Sequence, residues 1–135
     1  MRIEFNGNLI DVQLGKFDFA GQYGTDSLVY FSNEGGTDQV FVDKQASESY
    51  AKYAALHECI CMGKCGHLAP AVDDPELRCS AIDKMIIDAM PEAERQAYVN
   101  KRIEMFETLI NKNLNPGMTS TFEKSLKELK KLREP

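Results

Sequence analysis

The sequence predicts an α+β protein: a small antiparallel sheet of two hairpins over residues 1–45, then about four helices over residues 46–135, in a single domain. Three observations predict it. Apolar residues alternate in short runs as far as Val42, with turn-forming residues between the runs. From Ser47 onward the apolar period becomes that of a helix. The length of 135 residues is that of one ordinary domain, able to bury a core without disulfide staples.

The elements follow in order. Ile3-Glu4-Phe5 alternates and runs into Asn6-Gly7, a two-residue hairpin signal. The next run, Leu9 to Leu14, sets Leu9, Ile10, Val12 and Leu14 against Asp11 and Gln13. Gly21, Gly24 and Asp26 predict a loop. Leu28 to Phe31 and Gln39 to Val42 read as two strands joined through Asn33 to Asp38, the second hairpin. One antiparallel sheet is expected.

Ser47 is placed to cap a helix over Glu48 to Met62, ended by Gly63, with Tyr53, Leu56 and Ile60 facing the core. Residues 63–75 form a Gly/Pro-rich loop. A second helix is expected from about Glu76 to Ala89, with Leu77, Ala81, Ile82, Met85 and Ile86 as inward candidates. Pro91 opens a third helix, with Glu92 and Glu94 in its first turn and Val99, Ile103, Phe106 and Ile110 as its stripe. Asn113 to Gly117 breaks it. Ser120-Thr121-Phe122-Glu123 has the capping-box pattern for a last helix, with Phe122, Leu126, Leu129 and Leu132 apolar.

Composition narrows function. The chain is 43% hydrophobic and 27% charged, as soluble globular domains are. A net charge of -5 speaks against general nucleic-acid binding, which needs a basic surface to displace phosphate counterions. Met1 to Phe5 lacks the pattern of a secretory leader, and no run is long and apolar enough for a membrane span. A cytoplasmic protein with reduced thiols is therefore expected.

The chemistry concentrates in Ala55 to His67. This stretch holds Cys59, Cys61 and Cys65, three of the four cysteines, and both histidines, His57 and His67; Cys79 follows. In reduced surroundings such a cluster predicts metal binding or thiol chemistry. His57 and Cys61 are i and i+4 on a helix, and so are Cys79 and Asp83, so each pair shares a face. Glu58 sits roughly 100° around the helix from His57.

His57-Glu58-Cys59-Ile60-Cys61 resembles the H-E-x-x-H motif of the zincin metallopeptidases, with Cys61 in the place of the second histidine. The resemblance covers this helix and the sheet-before-helix order. It implies zinc held by His57 and Cys61, a third ligand downstream, and Glu58 as general base toward a water attacking a carbonyl. Downstream candidates are Cys79, Asp83 and Asp88, with Cys65 and His67 in the loop between. A thiolate at position 61 still binds zinc but donates more charge, which weakens the ion as a Lewis acid.

Three other readings stay open. Cys59, Cys61, Cys65 and His67 form a Cys3His structural site only if the helix ends near Glu58, because Cys59 and Cys61, two residues apart on a helix, point about 160° away from each other. Cys65 in its glycine-flanked loop is a candidate nucleophile with a histidine base. In the plainest reading Cys59 is a small core hydrophobe, Tyr50 and Tyr53 pack, and the lysines of the last helix are solvated.

The sequence thus leads to a zinc-binding protein with ligands His57 and Cys61 first, then Cys79 and Asp83, then His67. Its catalytic form is a metal-dependent hydrolase using Glu58 on a small molecule or peptide, without nucleic-acid or membrane partners. Iron, nickel or copper(I) also suit thiolate and imidazole. The alternative is a non-catalytic module: a structural metal or buried thiols, with the last two long helices forming a homo-oligomeric surface.

Overall fold

Asn6 and Gly7 turn the chain with φ of 48° and 78°, the two positive values that a two-residue primed turn demands. They join β1 (Arg2–Phe5) to β2 (Asn8–Asp11), antiparallel with Phe5 opposite Asn8. Ile3 and Phe5 alternate inward and are buried. In the computed structural model, residues 1–64, 68 and 70–133 are described, and the chain divides into two compact units, Met1–Ala69 and Pro70–Pro135. Each contains its own packed elements, and the division falls after the first long helix rather than where strands give way to helices.

The first unit continues with β3 (Leu14–Phe17), α1 (Phe19–Tyr23), β4 (Val29–Ser32), β5 (Gln39–Asp43) and α2 (Glu48–Cys61). The α+β class holds, and both expected hairpins form. They lie in separate sheets, however, and the second sheet has the order β3-β5-β4 with β3 parallel to β5. The expected single antiparallel sheet is corrected on this point. The run from Leu9 to Leu14 is cut after Asp11, because Met1 and Val12 close the first hairpin through two backbone bonds and Leu14 starts a new strand. The expected loop around Gly21 is also corrected: it holds α1. Asp18 caps that helix by accepting from Gly21 N–H at 2.9 Å, and Gly24 ends it at φ 79°.

Val40 and Val42 of the central strand are fully buried, and α2 packs on β4 and β5. Ser47 Oγ caps α2, accepting from Tyr50 N–H at 3.1 Å. Tyr53, Leu56 and Ile60 face inward as the spacing predicts, joined by Ala51, Ala54 and Ala55. Tyr50 is a packing residue whose hydroxyl donates to the Ser27 carbonyl at 2.6 Å. Asp43, fully buried, accepts from the N–H of Ala20 and Gln45, both at 2.7 Å, which ties the start of α1 to the end of β5.

The second unit is three helices packed on one another: α3 (Pro75–Ala89), α4 (Glu92–Asn111) and α5 (Thr119–Arg133). Asp74 caps α3, and Pro91 is the cap of α4 rather than its first residue. Ile82, Ile86, Val99, Ile103 and Phe106 are buried, and Ile110 at the end of the α4 stripe is half-buried. Leu77 is not inward; it is exposed in the first turn of α3. The start of α5 is also corrected. A 3-10 turn at Pro116–Met118 feeds the helix at Thr119, so Ser120 lies inside its first turn instead of capping it. The buried residues of α5 are Thr121, Ser125 and Leu129; of the expected stripe Leu129 is buried, Phe122 and Leu126 are half-buried and Leu132 is exposed. Among the described residues, no helix is long and apolar enough to cross a membrane.

Candidate metal centre

On α2, the helix persists to Cys61, so Cys59 and Cys61 point to different sides. Cys59 is buried and Cys61 half-buried. This removes the helical break that the Cys3His site requires. His57 is 1% exposed, one turn before Cys61, and Glu58 beside it is half-buried. Cys65 and His67 lie outside the described residues.

On α3, Cys79 Sγ and a carboxylate oxygen of Asp83 lie within 4.8 Å of each other. The i, i+4 spacing places them on one face, as expected. Cys79 is half-buried and Asp83 only 1% exposed. Asp88, by contrast, is exposed and accepts from Lys84 Nζ at 3.1 Å, an ordinary surface pair. Cys79 and Asp83 supply a thiol and a carboxylate, two of the donor types that zinc accepts.

A buried carboxylate is costly without compensation. Asp83 is compensated from α4. Its Oδ2 accepts from Arg102 Nη2 at 3.2 Å and from Nε at 3.4 Å, and its Oδ1 accepts from the Tyr98 hydroxyl at 3.4 Å. Arg102 is held in turn. Its Nη1 donates to Met105 Sδ at 3.3 Å, and its guanidinium stands 5.1 Å from the centre of the Phe106 ring.

Sequence reasoning missed Tyr98 and Arg102. A signal for them exists: Tyr98, Arg102 and Met105 repeat the 4-then-3 spacing of Val99, Ile103 and Phe106, one residue behind. A polar residue at a stripe position of one helix calls for a charged mate on the helix it faces.

A separate cleft of about 230 Å³ opens in the first unit, lined by Ile10, Gln13, Phe31, Gln39, Cys59 and Lys64 among others. At its edge Lys64 Nζ pairs with Asp38 Oδ2 at 3.1 Å. The Asn33 amide and then Lys64 hold the Asp38 carboxyl below its ordinary value of 3.8.

No family model, no curated protein and no solved structure matches this chain.

Proposed function

We propose that the chain binds a transition-metal ion, zinc in the first place, through ligands drawn from His57, Cys61, Cys79 and Asp83, with His67 as a further candidate. The observation that carries this is the Cys79–Asp83 pair: two donors of types that zinc takes, within 4.8 Å, the carboxylate oriented by Arg102 and Tyr98. The burial of His57, where a ligand imidazole is shielded from water, adds support.

The test is the metal content of protein purified without a histidine tag, by elemental mass spectrometry, with thiol titration alongside. About one zinc per chain is expected. His57→Ala, Cys61→Ser, Cys79→Ser and Asp83→Asn, measured one by one, then identify the ligands. No metal and four freely reactive thiols would sink the proposal.

In the catalytic form, zinc supplies Lewis-acid activation and Glu58 takes the proton of the water that attacks a carbonyl. Support comes from the half-buried position of Glu58 next to His57 on α2. Glu58→Gln should abolish hydrolysis while zinc stays bound. Unchanged hydrolysis in that variant rules the role out.

A further inference from the structure

We infer that the cleft of the first unit is a binding site for a free α-amino acid with an apolar side chain, whose ammonium and carboxylate are taken by Asp38 and Lys64. The inference stands apart from the metal: among the described residues that line the cleft there is no proposed metal ligand.

Floor and rim differ in kind. Val12, Val40 and Cys59 are buried in the lining. Phe31 stands opposite Val40 in the β4–β5 register, so the two share a face. The floor is therefore apolar. The charges sit at the ends of elements. Asp38 precedes β5, and Lys64 follows α2, where Gly63 turns the chain at φ 73° and Lys64 N–H donates to the Cys59 carbonyl at 2.9 Å. Both side chains are open to solvent, with Lys64 Nζ 3.1 Å from Asp38 Oδ2.

Charge selects the ligand class. Asp11, also in the lining, is already matched by Arg2 at 3.3 Å. The rim thus offers one cation and one anion. A ligand of a single charge satisfies one of them and strips the other of its mate, whereas a zwitterion satisfies both. Lys64 and Asp38 part at little cost, because an ion pair exposed to water is worth little. Asp38 stays aimed when Lys64 turns to the ligand, because Asn33 Nδ2 donates to its other oxygen, Oδ1.

Size narrows the class further. The cleft of about 230 Å³ is smaller than the pockets of about 300–1,000 Å³ that take drug-sized ligands. That disfavours nucleotides and peptides and suits a molecule the size of one amino acid. Leucine, methionine or phenylalanine buries apolar area on the floor, and glycine buries none.

The experiment is titration of the full, nitrogen-15-labelled chain with L-leucine, followed by amide chemical shifts. The comparison compounds are glycine, which lacks the side chain, 4-methylpentanoate, which lacks the ammonium, and 3-methylbutylamine, which lacks the carboxylate. L-Leucine should shift the amides of Phe31, Val40, Cys59 and Lys64 saturably, and each comparison compound should bind about tenfold or more weakly, the loss of one charge-assisted contact or of the buried side chain. Lys64→Gln and Asp38→Asn should each weaken leucine to a similar degree. Ile10→Trp, which fills the cleft from β2, should abolish the shifts. Circular dichroism checks that each variant folds.

No saturable shift at the cleft with leucine, methionine or phenylalanine would overturn the site. Binding of 4-methylpentanoate or 3-methylbutylamine as tight as that of leucine would overturn recognition of a zwitterion. Folded Lys64→Gln and Asp38→Asn proteins with wild-type affinity would do the same.

Discussion

Arg102 and Asp83 form an ion pair at 3.2 Å in which neither side chain is more than 2% exposed. The pair joins α4 to α3, and Tyr98 closes it from one turn away. Its energetic meaning lies in what happens when half of it is removed.

Asp83→Asn leaves Arg102 charged and buried without its carboxylate. The expected loss is about 3–5 kcal/mol of stability, the usual cost of breaking a buried pair from one side. Urea denaturation of wild type and variant measures it. Replacing both Asp83 and Arg102 with apolar residues of similar size should cost much less. A double variant as unstable as the single one would show that shape, not charge, decides.

Ser125 gives a prediction of opposite sign. Its hydroxyl is fully buried on α5 and has no hydrogen-bond partner among the described residues. An unpaired buried polar group costs about 1–3 kcal/mol. Ser125→Ala removes that cost, and alanine is a better helix former. A higher thermal midpoint is expected in calorimetry, and a lower one would reveal a bond that the packing supplies.

Zinc should stabilise the folded chain by mass action. At about 100 times the dissociation constant the gain is about 2.7 kcal/mol. Thermal midpoints are to be measured with zinc and with a chelator, for wild type and Cys79→Ser. The shift should be present in the first and largely lost in the second. Equal shifts in both would remove Cys79 from the ligand set.

The pH dependence follows from Asp38. Its folded-state carboxyl is held below 3.8, first by Asn33 and then by Lys64. A lowered folded pKa means a contribution that is present above the unfolded value and is lost as pH falls through the folded one. The effect is modest, because the group is open to solvent and salt. Denaturation midpoints taken downward from about pH 5 should fall less steeply for Asp38→Asn than for wild type. Parallel curves would show that the contacts persist unfolded or do not matter.

Much of the fold was legible because local rules and burial agree. Asn6-Gly7 admits one kind of turn, Ser47 caps where a hydroxyl must, and Tyr53, Leu56 and Ile60 share a buried face of α2. The failures arose where tertiary contacts decide. Nothing local to Leu14 states that it pairs with Val40 in parallel. On α5 the small residues Thr121 and Ser125 are buried beside Leu129, while Phe122, half-buried, stacks on Phe106 of α4 with ring centres 5.6 Å apart. At the candidate site, Cys79 and Asp83 were legible from spacing. Arg102 was not, because the sequence of one helix does not show which charge on another will face it.

The parallel pairing of β3 with β5 bears on how the first unit assembles. Antiparallel β4 and β5 can zip from their shared connection, but β3 must wait until α1, β4 and β5 have brought its partner back. The entropy of closing that segment is spent before any β3 contact rewards it. β3 should therefore be the last strand to join and the first to leave. It also sits at the sheet edge, where a detached strand is open to pairing with another molecule. Lys16, exposed in the middle of β3, puts a charge on that edge and discourages such pairing during the wait.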